Sequence, residues 1–178
     1  MRRRALLLVL LAAAGLFYTV TRNQGSNSGP DVFGYLSDCG IELMNPVTET
    51  DCGLRPSSVG ETLYRYGPLE GPSGLYQVEI DTIGSDRIHA IELVFDASLI
   101  SFEDLEEKLV RRRPGLQPVM RTETGSLFVE DVPSAGPAYY LLSTGDKTPE
   151  GFLVLFFMTQ EANLYYGSRD LDHSGPER

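Results

Sequence analysis

The sequence predicts an α+β domain: a mostly antiparallel sheet of about five strands, with one main helix packed on it and a disulfide-tied loop region in front. Three observations carry this reading. Residues 75–95 hold two alternating apolar/polar runs split by a turn, residues 101–113 have helical periodicity behind a capping serine, and three apolar runs follow between 127 and 158. The chain has 178 residues, 42% of them hydrophobic and 22% charged, which suits one globular domain and leaves little room for a second.

The N-terminus reads as an export signal over residues 1–22. Arg2, Arg3 and Arg4 precede an apolar stretch from Ala5 to Val20, which places the arginines on the cytoplasmic side and sends the remainder across the membrane. Ala12-Ala13-Ala14 offers a cleavage site, but Phe17, Tyr18 and Val20 prolong the apolar run and favour a retained single-pass anchor. The first cysteine is Cys39, too far along for a lipid anchor. The expected location is the cell envelope, extracytoplasmic, with the chain anchored or secreted. Residues 23–31 are polar and rich in Gly, Ser and Asn, a flexible linker. The α+β domain is expected over 32–167, and 168–178, with Leu171 as its one apolar side chain, as a disordered tail.

Turn formers crowd residues 32–56 (Gly34, Gly40, Asn45, Pro46, Gly53, Pro56), which predicts a loop region, and Cys39 with Cys52 forms an even pair suited to a disulfide in an oxidising compartment. A short helix is expected from Ser57 or Ser58 to Tyr66, stopped by Gly67-Pro68. Tyr76, Val78 and Ile80 then alternate with Gln77, Glu79 and Asp81, and beyond the turn at Gly84-Ser85-Asp86 the run Arg87–Phe95 completes a hairpin. Ser101 caps a helix whose Phe102, Leu105 and Leu109 share a face, ended by Pro114-Gly115. Leu127–Val132, Ala138–Thr144 and Phe152–Met158 read as strands. The last has no polar position, so it belongs at the sheet centre with both faces covered.

Charge narrows the function. The chain carries 15 basic and 25 acidic residues, and without Arg2, Arg3, Arg4 and Arg22 the exported part keeps 11 against 25. No basic field exists for nucleic acid; the acidic surface suits a protein partner with a basic surface, and the membrane is met through the N-terminal segment. Two histidines limit acid–base chemistry. His89 is a candidate base with Glu79 or Asp81 as orienter, and His173 lies in a polar tail beside Asp170 and Asp172. The carboxylates Glu79, Asp81, Glu92 and Asp96 fall on adjacent strands, where alternation places a solvated acidic face and where a pair could flank a substrate as in a glycosidase. Arg111, Arg112 and Arg113 are cations at a helix C-terminus. No nucleophile elbow, calcium loop, zinc quartet or cofactor fingerprint occurs, and no stretch resembles a known family's motif. Nine tyrosines and eight phenylalanines include Tyr139-Tyr140 and Tyr165-Tyr166, candidates for a partner-binding surface. The expectation is a non-enzymatic protein-binding or accessory module without cofactor; an extracytoplasmic carboxylate-dependent hydrolase is the alternative.

Overall fold

The computed structural model describes residues 31–51, 53, 56–58, 60–69, 71–133, 135–144 and 151–172. The expected export signal, nearly all of the linker, Cys52, most of the 145–151 connection and His173 lie outside these residues.

Alternation is what builds the sheet. Among the described residues eight antiparallel strands form: β1 (Ser57–Ser58), β2 (Leu63–Tyr66), β3 (Leu75–Asp81), β4 (Ala90–Asp96), β5 (Gln117–Arg121), β6 (Gly125–Val132), β7 (Gly136–Ser143) and β8 (Phe152–Thr159). Their order is β1-β2-β3-β4-β8-β7-β6-β5, two four-strand meanders joined where β8 pairs with β4. β1 is a two-residue stub beside seven longer strands. Three helices pack against the sheet: α1 (Val32–Asp38), α2 (Phe102–Arg112) and α3 (Gln160–Asp172).

Val78, Ile80, Ile91, Leu93, Tyr140, Leu142, Leu155 and Phe157 fill one face, buried under Val32, Phe33 and Leu36 of α1 and Leu105 and Leu109 of α2. Phe33 stands 6.4 Å from Phe157, ring to ring, which fixes α1 against β8. The register turns the intervening residues, among them Glu79, Asp81, Glu92, Phe156 and Met158, to the other face, which α3 covers in part. Among the described residues no helix is long and apolar enough to cross a membrane.

The expected fold class is corrected in three respects. The sheet has eight strands where about five were expected, because β1, β2 and β5 were missed. Residues 63–66 form β2, not the end of a helix: Leu63 and Arg65 face outward while Tyr64 and Tyr66 face the core, and tyrosine suits a strand. All five residues of β5 are exposed at the sheet edge, so burial imposed no alternation on them, and Pro118 is tolerated there because an edge strand can leave a ladder donor out. Secondly, helices lie on both faces; the single main helix α2 has α1 beside it and α3 opposite. Thirdly, the leading segment starts with a helix where a loop region was expected; the expected Cys39–Cys52 bridge involves Cys52, which lies outside the described residues. Residues 32–38 are helical, capped by the Asp31 carboxylate, which accepts from the Phe33 N–H at 3.3 Å. Cys39 is buried at the end of α1. Backbone hydrogen bonds close the segment that follows. The Asp51 N–H donates to the Cys39 carbonyl at 2.9 Å, and Gly40 takes φ 73° where a Cβ would lie 2.8 Å from the Glu49 carbonyl oxygen.

Candidate cleft between the C-terminal helix and the outer sheet face

Register determines which carboxylates meet. Arg65, Glu79, Glu92 and Phe156 lie side by side across β2, β3, β4 and β8, and the next outward row is Leu63, Asp81, Ala90 and Met158. α3 runs over these rows and encloses a cavity of about 450 Å³, roofed by Asn163, Tyr166 and Gly167 and floored by Ala90, Phe156 and Met158. α3 is launched from β8 by Thr159, buried, whose hydroxyl accepts from the Ala162 N–H at 3.2 Å as an N-cap.

The three carboxylates have different surroundings. Glu79 is ion-paired to Arg65 at 2.5 Å and accepts from Gln77 Nε2 at 2.8 Å. Asp81 accepts from the Tyr166 hydroxyl at 2.7 Å and from the Ile83 N–H at 2.8 Å, so it ties α3 to the hairpin turn. Glu92 accepts no hydrogen bond and forms no ion pair among the described residues. Burial raises its carboxyl above the ordinary glutamate range, Glu79 directly opposite raises it further, and Arg65 partly offsets both. The Tyr166 phenol is pushed well above its ordinary value by burial and then by Asp81. Aromatic rings complete the wall: Tyr166 stands 6.2 Å from Phe156 and 5.6 Å from Tyr165. Among the described residues no group of three or more His, Cys, Asp or Glu side chains is placed to hold a metal ion.

The tyrosines singled out from the sequence separate. Tyr166 on α3 lines the cleft, Tyr165 beside it packs edge-on against its ring, and Tyr139 is half-buried on the outer face opposite Met158. Tyr140 is fully buried on the inner face, donates to Glu130 Oε2 at 3.0 Å and lies under the Arg113 guanidinium, 5.3 Å from its ring centre. It offers nothing to a partner. His89 turns inward, away from Glu79 and Asp81: its Nδ1 lies 3.2 Å from the Thr159 hydroxyl and 3.6 Å from Glu161. Asp96 sits at the far end of β4 in a turn where Ser98 donates to it twice, which holds its carboxyl below the usual range. The three arginines disperse, Arg112 to Asp31 at 3.7 Å, Arg113 to Glu130 at 3.0 Å, and Arg111 to a groove between α2 and β5.

Sequence reasoning put Glu79, Asp81, Glu92 and Asp96 together on adjacent strands, and missed that Asp96 lies apart and that Phe156, Met158 and Asn163 are neighbours of the other three. β4–β8 pairing spans more than fifty residues and has no local signature in the chain. No protein-family model, curated protein or solved structure matches this chain.

Proposed function

We propose that this chain is an extracytoplasmic, non-enzymatic protein-binding module, held at the cell envelope by its N-terminal apolar segment and working through the acidic, aromatic outer face of its sheet. One observation carries the reading. α3 covers only part of that face: Leu141 in β7, paired with Phe156 of the cleft floor, is 37% exposed, and Tyr76 in β3, packed on Phe152 toward the other end of the face, is 41% exposed. Exposed apolar and aromatic side chains among charged ones on a sheet face are what a protein interface uses. Turnover is less well supplied, because Glu79 and Asp81 are held by Arg65, Gln77, Ile83 and Tyr166, and His89 is sequestered under Thr159. The hydrolase reading is favoured by one feature, the raised carboxyl of Glu92 in a cleft.

The test is a photo-crosslinking residue placed at position 141, and separately at exposed Glu107 on α2 across the sheet, in the full chain in its native cell. A discrete adduct at 141 that is absent at 107 is expected. Equal adducts at both positions, or none at 141, would overturn the docking face. A purified chain that turned over a substrate, and lost the rate on Glu92→Gln with its fold intact, would replace it with the hydrolase.

A further inference from the structure

We propose that the cleft beneath α3 receives an arginine side chain presented by the protein partner, with the guanidinium between Glu92 and Glu79 and the aliphatic stem over Phe156 and Met158. This rests on the protein-binding reading above and names what that partner must carry.

The cavity is the first ground. At about 450 Å³ it exceeds one long side chain, lies within the range of ligand sites, and joins an apolar floor to a few polar groups at one wall. Charge is the second. Three carboxylates line or flank the cavity, and Arg65 is the cation paired there, already engaged by Glu79. Glu92 therefore keeps a carboxylate without hydrogen-bond or ion-pair partner among the described residues, directly across the β3–β4 ladder from Glu79. Like charges opposite each other on a sheet repel, and a cation laid between them removes the repulsion.

Shape selects the cation. The carboxylates are not grouped closely enough to hold a metal ion among the described residues, but they sit on neighbouring strands, a spacing that a flat, five-donor guanidinium can bridge. The tilted rings of Phe156 and Tyr166, 48° apart, flank the same space and provide faces on which a guanidinium stacks. An ammonium is a compact, strongly hydrated point charge that makes less use of either feature. The acidic surface of the exported part then draws a basic segment toward the cleft from a distance.

The groups that face Glu92 are Glu79 and Asp81 from β3, Arg65 from β2 and Tyr166 from α3. Its carboxyl must be ionised to hold the guanidinium, so binding strengthens as pH rises through the elevated range of Glu92 and levels off above it.

The experiment titrates N-acetylarginine amide into the isotopically labelled full chain in detergent micelles and follows backbone amide shifts, with N-acetyllysine amide and N-acetylcitrulline amide alongside. Saturable shifts centred on Glu92, Phe156 and Asn163 are expected with arginine, weaker binding with lysine, and no saturation with the uncharged citrulline. Glu92→Gln should weaken arginine binding about tenfold, the worth of one charge-assisted hydrogen bond, whereas Glu107→Gln leaves it unchanged. Shifts centred elsewhere, citrulline or lysine binding as well as arginine, or undiminished binding by Glu92→Gln would overturn the inference. The two readings fail separately. If position 141 still captures its partner equally in Glu92→Gln protein, the docking face stands and the arginine pocket falls; if arginine binds while position 141 captures nothing, the pocket stands and the protein-docking reading falls.

Discussion

Glu79 and Glu92 meet across β3 and β4 with both carboxyls on the outer side of the sheet, and Arg65 neutralises one of them. Folding therefore holds the Glu92 proton more tightly than the unfolded chain does, so between the ordinary value near 4.5 and the raised one the native state binds more protons and stability falls as pH rises. Glu92→Gln removes that loss. It should raise stability at pH 7 by a few tenths of a kcal/mol, small because solvent screens a half-buried group, and the gain should vanish below about pH 4, where Glu92 is protonated in both states. Urea unfolding at the two pH values checks this, and a destabilised variant at pH 7 would contradict it. Tyr140 and Tyr166 follow the same sign at higher pH. Their phenols are raised by burial and by Glu130 or Asp81, so the stability they contribute is complete below about pH 10 and is lost as pH climbs through their elevated range. In an alkaline titration followed at the phenolate absorbance these two should ionise after the exposed tyrosines. Tyr166→Phe should delete one late-titrating phenol and cost about 1 kcal/mol through the lost hydrogen bond to Asp81.

At the level of elements, α3 depends on its first turn and on the ring packing at the cleft. Thr159 caps that turn and its hydroxyl also meets His89, so Thr159→Ala should cost about 1 to 2 kcal/mol and speed amide exchange at Ala162 and its neighbours ahead of the sheet. Uniform exchange across the chain would refute a cap that acts locally. α2 depends on burial instead. Leu105 and Leu109 are fully buried on the inner face, and Leu105→Ala should cost about 2 to 5 kcal/mol in a denaturant melt, with the spread set by how far the sheet collapses into the gap. The difference in legibility follows the same physics. α2 was legible because its serine cap and apolar stripe are local, and the structure shows Ser101 accepting from the Asp104 N–H at 3.1 Å. α1, seven residues long with a glycine inside, has too little periodicity to be read above the turn formers around it. The charged side chains of α2 reach off the helix, Lys108 to the Ser73 hydroxyl at 2.8 Å and Glu106 to Arg121 at 2.8 Å.

For the whole molecule, the proposed envelope-bound module makes one prediction from the charge asymmetry of Arg2 to Arg4 and another from the acidic body. A reporter that functions only outside the cytoplasm, fused after Arg178, should be active; activity of a cytoplasm-only reporter at that position would refute the orientation. Association with the partner should slow as salt rises toward physiological strength, because screening over about 10 Å removes long-range attraction while leaving the seated complex intact. Taken alone, the chain's order determined the hairpin of β3 and β4, helix α2, the strands β6, β7 and β8, the central place of β8 and the outward turn of Glu79, Asp81 and Glu92. Each of these is dictated by residues within a few positions of one another, through period-two or helical alternation and caps. Tertiary structure alone decided that β8 would lie against β4, that α3 would roof the cleft, that Tyr140 would be inside and Tyr166 at the carboxylates, and that His89 would turn to Thr159. Those outcomes depend on contacts seventy or more residues apart in the case of His89 and Tyr166, where the free energy comes from burial between distant segments and leaves no periodic trace in either one.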